Sequence, residues 1–149
     1  TVTSKQYYHF LRARTESETA AYRPGMYDKR EEEHGWMVDL YKEWDVSDGP
    51  SMEMIARRYM ERFVGCVENI TNPKCELNKK EKKQEIKKML QNPRINEMGK
   101  LAKPRSLYMK LLLLPIRWHC TLLTYWEAKV ITYVKTRNTK LFTKLKVGR

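Results

Sequence analysis

Apolar residues along most of this chain recur at three- and four-residue intervals, the spacing of helices with one buried face. The first such run extends from about Pro24 to Trp44. In it Trp36, Met37, Leu40, Tyr41 and Trp44 share one face, and Lys29, Arg30, Glu31, Glu32, Lys42 and Glu43 take the other. Asp45–Gly49 interrupts the pattern, and Pro50 suits the first turn of a second helix. There Ile55, Tyr59, Phe63 and Val67 follow one another at helical spacing, with Met52, Val64 and Ile70 beside them, until Asn72-Pro73 stops the run. Asn78 and Glu81 have the spacing of a capping box for a third helix. That helix sets Lys79, Lys80, Lys82, Lys83, Lys87 and Lys88 against Ile86, Met89 and Leu90, and Asn92-Pro93 closes it. A short turn or helix is expected over Ile95–Ala102.

From Arg105 onward the helical pattern becomes more apolar. Leu107, Tyr108, Leu111, Leu112 and Leu114 form one segment, with Pro115 as a kink or stop. Leu122 to Val134 forms another, carrying Tyr125, Trp126, Val130, Ile131 and Tyr133. The closing NTKLFTKLKVGR sets Leu141, Phe142 and Leu145 against Lys140, Lys144 and Lys146. The longest unbroken apolar run, Leu111–Leu114, falls far short of the roughly 18–20 residues that span a bilayer. Only the opening departs from helical spacing: KQYYHFL at 5–11 reads as a short strand and RARTESET as a loop. The predicted fold is mostly α, with about five or six helices behind a short aromatic strand. Residues 1–19 form the strand and loop, 20–103 a helical bundle, and 104–149 basic amphipathic helices.

Charge changes this picture. Of the net +12, residues 1–72 contribute 10 Lys/Arg and 13 Asp/Glu, whereas residues 73–149 contribute 20 Lys/Arg and 5 Asp/Glu. Such asymmetry predicts a polyanionic partner for the second half. Residues 105–149 hold 10 Lys/Arg against one acid, Glu127, and interleave them with aromatic rings. That mixture describes an interfacial segment, because rings favour headgroup depth and long cationic stems reach phosphates. The surface residues so predicted are Arg117, Trp118, Tyr125, Trp126, Lys129, Tyr133, Lys135, Lys140, Phe142, Lys144 and Lys146. An anionic membrane is the leading partner. A homo-oligomer formed through Leu and Trp stripes is the alternative. Nucleic acid fits less well, since no helix-turn-helix, finger or RNA-binding signature is present and LYMKLLLLPIRW is more apolar than phosphate tracking requires.

Motifs for chemistry are absent from the chain: there is no phosphate-binding glycine loop, no GxSxG and no HExxH. Glu31, Glu32 and Glu33 precede His34, but consecutive residues point around a helix, so a solvated face is expected there. His9 and His119 are expected to be packed or interfacial rather than ligands. Cys66, Cys75 and Cys120 are odd in number and widely spaced, which fits reduced thiols, with Cys66 in the core.

The opening YYHFLRARTESET resembles the segment that follows the catalytic domain in bacterial family 2 glycosyltransferases, builders of capsules, exopolysaccharides and wall polymers. Tyr8, His9 and Phe10 match an aromatic strand, Arg12 and Arg14 an Arg-x-Arg, and Ser17 and Thr19 a Ser/Thr-rich turn. The chain departs from that pattern in Leu11, one residue extra, and in Phe10, which replaces a Tyr. The last 39 residues, from Leu111, resemble the basic tail of such enzymes from Gram-positive bacteria. The resemblance implies a C-terminal piece of a longer protein, in keeping with a chain that opens on Thr1 without Met. It also implies an upstream GT-A-type α/β domain that binds a nucleotide-sugar and a divalent Mg or Mn through a DxD motif. No Asp-x-Asp occurs in this chain, so metal and base roles fall on no residue here and the chain itself is predicted to hold no cofactor. Arg12, Arg14 and Ser17 are the residues implied to approach substrate, guanidinium suiting phosphate geometry. The implied location is peripheral, on the cytoplasmic face of the plasma membrane.

Overall fold

Most of the helices begin where the sequence supplies a side-chain cap. In a computed structural model, which describes residues 21–137, the chain forms α1 (Met26–Glu43), α2 (Gly49–Thr71), α3 (Lys79–Leu90), α4 (Pro93–Leu101), α5 (Leu107–Arg117) and α6 (Thr121–Arg137). Asp48 accepts from the Ser51 backbone N–H at 2.9 Å at the head of α2. Asn78 accepts from the Lys80 and Glu81 N–H groups while the Glu81 carboxylate accepts from the Asn78 N–H, so the expected capping box is complete. Asn92 caps α4 through Arg94, and Ser106 caps α5 through Met109. α1 lacks such a cap and starts instead from Gly25, at φ 63°, where glycine has no Cβ to clash. Among the described residues there is no strand. The strand expected at 5–11 and the basic segment 138–149 lie outside them.

Two expectations that held alternatives are decided at prolines. The segment after Asn92 is a full helix, because Pro93 at its first position needs no N–H partner there. Pro115 does not stop α5, which continues to Arg117. The carbonyl that Pro115 leaves unpaired belongs to Leu111, an exposed residue, so water can serve it. The helix ends at Trp118, followed by His119 in the left-handed region at φ 50°.

α2 is the central element and touches all five others. Its expected row of Ile55, Tyr59, Phe63 and Val67 is buried, and so are Ala56, Met60, Val64 and Cys66 on its other sides. One hydrophobic cluster runs from Ala56 to Ile131 and takes in Ile86 and Leu90 of α3, Ile95 of α4, Leu113 and Ile116 of α5, and Tyr125 of α6. Residues 21–103 and 104–137 therefore share one core. Full burial of each large aliphatic side chain contributes about 1.5–3 kcal/mol, which makes this cluster the main source of stability.

α1 is turned away from the orientation its apolar pattern predicts. Trp36, Leu40 and Trp44 face outward, with both tryptophans 64% exposed, whereas Met37 and Tyr41 of the same expected face are half-buried. The inward face carries Tyr27, Glu31 and His34, spaced four and three residues apart on one side of the helix. The expectation of a solvated Glu31–His34 face is thereby corrected: His34 is buried, Glu31 is half-buried, and only Glu32 of this group is fully exposed. The physical reason lies in partners distant in sequence. The Tyr59 hydroxyl of α2 donates to Glu31 Oε1 at 2.7 Å. Asn92 Nδ2 donates to Glu31 Oε2 at 2.9 Å and to the Tyr27 hydroxyl at 2.8 Å. Arg94 Nη1 completes the set on Glu31 Oε2 at 3.0 Å. Hydrogen bonds to a carboxylate are the strong kind, and four polar groups satisfied together outweigh the apolar row left in water.

Candidate docking surface

α5 is apolar on most sides, with the exposed Lys110 and Arg117 as its charged residues. Met109, Leu112, Leu113 and Ile116 enter the core, yet Leu107, Leu111, Leu114 and Trp118 point to solvent, at exposures from 40% to 73%. Those four are spaced four, three and four residues apart, so they form one stripe along the helix. α6 follows after a tight corner and packs against α5. It buries Thr124, Tyr125, Ala128 and Ile131, and exposes Leu122, Leu123, Trp126, Val130 and Tyr133. Leu122, Trp126, Val130 and Tyr133 again share one side of a helix. Soluble monomers seldom leave rows of large apolar side chains in water without a use for them.

The corner between the two helices is held by His119. Its Nδ1 donates to the Leu90 carbonyl at 2.7 Å, and its Nε2 meets Asn96 Oδ1 at 2.7 Å. His119 is thus a structural residue that fixes where Trp118 and Leu122 emerge. Cations accompany the stripes. Arg117 is exposed and reaches back to the Ala102 carbonyl at 3.0 Å. Lys129 lies 5.8 Å from the ring centres of both Tyr125 and Trp126, a cation–π distance.

Of the predicted surface residues, Arg117, Trp118, Trp126, Lys129 and Tyr133 are brought to solvent on α5 and α6. Tyr125 is a correction. It is 3% exposed and belongs to the core, because Trp126 beside it takes the outward position and consecutive helical residues diverge. Lys135 lies within α6. Arg12, Arg14, Ser17, Lys140, Phe142, Lys144 and Lys146 lie outside the described residues, as do Tyr8, His9 and Phe10. Selection by aromatic and basic type missed Leu107, Leu111 and Leu114. The signal for them was present, since their spacing continues past the inward row of the same helix.

The described residues hold no group of three or more His, Cys, Asp and Glu that could hold a metal ion. None of their helices is long and apolar enough to cross a membrane. Burial pushes the Cys66 thiol up to about 12, which keeps it a packed hydrophobe. No known protein-family model, curated protein or solved structure matches this chain.

Among the described residues His34 is the one buried imidazole. Its ring lies 4.5 Å from that of Tyr59 at a tilt of 51°, and its Nδ1 has no hydrogen-bond partner. Burial lowers its pKa, the nearby Arg94 and Arg62 add to that, and Glu31 and Glu97 oppose it. The unfolded chain therefore takes up this proton at higher pH than the folded one. His34 stabilises the fold above about pH 6.5, the ordinary imidazole value, and that contribution is lost as pH falls. Melting curves at pH 7.5 and 5.5 are expected to show a smaller pH-dependent drop for His34→Phe than for the unaltered chain; equal drops would refute the assignment.

Proposed function

We propose that this helical unit docks a larger enzyme onto an anionic membrane surface through the outward faces of α5 and α6. One observation carries the reading: two packed helices present stripes of Leu, Val, Trp and Tyr to solvent with Arg117 and Lys129 alongside. Apolar side chains entering the headgroup boundary gain the transfer energy withheld from them in water. Adjacent cations gain roughly 1 kcal/mol each from an anionic leaflet.

The enzyme to which this unit belongs is, on the resemblance of its two ends, a family 2 glycosyltransferase. In that proposal an upstream GT-A domain, with its divalent metal, moves a sugar from a nucleotide-sugar donor to a lipid-linked or polysaccharide acceptor at the cytoplasmic face. The present residues supply position and not chemistry. The outward row of α1 suits a different neighbour. Trp36, Leu40 and Trp44 are flanked by the exposed acids Asp28, Glu32, Asp39 and Glu43, which outnumber the exposed Lys29 and Lys42 of the same helix, and an anionic leaflet repels the net negative charge. We assign that face to a protein contact, with the upstream domain as partner.

Sedimentation with vesicles tests the docking role. The chain is expected to pellet with vesicles that contain phosphatidylglycerol, to stay in solution with neutral phosphatidylcholine vesicles, and to release as salt rises. Indifference to lipid charge would contradict the proposal. A stable, salt-insensitive oligomer by light scattering, without vesicle binding, would establish self-association through these stripes instead.

A further inference from the structure

α3 packs along α6, and the contact opens a groove of about 580 Å³ between them. One wall is basic: Lys80, Lys83, Lys87 and Lys88 project from α3 at helical spacing. The other wall is the start of α6, Thr121 and Leu122. No acid lines the groove. Of the two acids of α3, Glu81 belongs to the capping box and Glu85 pairs with Lys88 at 2.6 Å, which compensates that one groove lysine. Among the described residues no carboxylate lies within ion-pair distance of Lys80, Lys83 or Lys87. Lys83 lies 5.5 Å from the ring centre of Tyr125, so the α6 aromatic also steadies one wall. Three uncompensated ammonium groups beside an open groove form a site for a phosphate-bearing anion.

Leu122 identifies which anion. It lines the groove and is also the first member of the outward apolar stripe of α6 that continues through Trp126, Val130 and Tyr133. A soluble phosphate or a nucleic-acid backbone makes no use of that apolar continuation. A phospholipid does, because its charged headgroup and its acyl chains are covalently joined. We propose that the α3–α6 groove binds the phosphate-bearing headgroup of an anionic phospholipid, with the α6 stripe facing the acyl region. This rests on the membrane reading above and extends it to α3, whose lysines would share the plane of the apolar stripe.

The test compares three proteins, each as the full chain with helicity checked by circular dichroism. They are the unaltered chain, Lys80→Gln/Lys83→Gln/Lys87→Gln, and a control of equal charge, Lys74→Gln/Lys100→Gln/Lys103→Gln. All six lysines are solvent-facing or half-exposed, so neither set removes core packing. Partitioning is measured on vesicles of phosphatidylcholine with about a third phosphatidylglycerol. The groove variant is expected to lose about 30-fold in partitioning and the control less than about 5-fold, since only bases close to the leaflet contribute fully. Arginine at 80, 83 and 87 is expected to retain binding. Equal losses in the groove variant and the control would overturn the groove while leaving the membrane reading intact. Failure of the unaltered chain to bind would overturn both. Binding to duplex DNA through Lys80, Lys83 and Lys87, without vesicle binding, would replace the lipid with nucleic acid.

Discussion

Glu31→Ala is expected to destabilise the fold by about 3 kcal/mol, lowering the melting temperature by roughly 10 °C or more. Glu31 is the acceptor shared by Tyr59 of α2, Asn92 at the head of α4 and Arg94 of α4. Its removal leaves a half-buried hydroxyl, an amide and a guanidinium without that partner at once. Each stranded group costs about 1–3 kcal/mol when dry, and the exposed share of Arg94 reduces its part. The loss concentrates on α1, which is held to α2 and α4 by these bonds together with the packing of Met26 and Tyr27 on the core. Glu31→Gln keeps one acceptor oxygen for Asn92 and Arg94 but turns the other into an NH2 donor facing the Tyr59 hydroxyl, so it is expected to destabilise the fold, though by less than Ala. Thermal denaturation followed by circular dichroism measures both. A Glu31→Ala protein as stable as the unaltered chain would show that the cluster is a bystander.

Changing Trp118 and Trp126 together to Ser is expected to weaken partitioning into anionic vesicles by about 100-fold, with stability changed by less than about 1 kcal/mol. Both rings are more than half exposed, so the fold gains little from them. At a membrane interface each buries a large apolar area, and a gain of ~1.4 kcal/mol per ring corresponds to about tenfold in binding. The same change at Trp36 and Trp44 is expected to leave vesicle binding within about twofold, because their acidic flank turns that face from the leaflet. Vesicle titration of the two double variants measures the difference. Equal weakening by both pairs would mean that binding follows total exposed aromatic area and not a particular face.

Helix number and most boundaries were legible in the sequence because they depend on short-range signals. Asn78 with Glu81 and Asn72-Pro73 act within one helical turn, and the structure uses both as expected, while Asn92-Pro93, expected to close α3, also caps and opens α4. The orientation of α1 was not legible. Trp36, Leu40 and Trp44 of its predicted apolar face end in water, while its inward face carries a polar cluster that depends on Tyr59, Asn92 and Arg94, which lie 28, 61 and 63 residues away from Glu31. A local pattern shows that a helix has two faces; distant partners decide which one is buried. α5 and α6 raised a related difficulty. Apolar residues surround them, so Tyr125 and Trp126 looked equivalent although one is in the core and the other in solvent. The α3–α6 groove combines lysines visible at helical spacing with an inter-helix contact that no single segment encodes.

The depth of individual tryptophans in a vesicle tests the docking role most directly. Two proteins suffice: one keeping Trp118 and Trp126 with Trp36→Phe/Trp44→Phe, the other keeping Trp36 and Trp44 with Trp118→Phe/Trp126→Phe. Each is bound to anionic vesicles whose lipids carry bromine at a shallow acyl carbon. The fluorescence of Trp118 and Trp126 is predicted to shift to the blue and to be quenched by the bromine, while that of Trp36 and Trp44 stays water-like. Quenching of Trp36 and Trp44 alone, or of neither pair while the protein is bound, would contradict a membrane face built from α5 and α6.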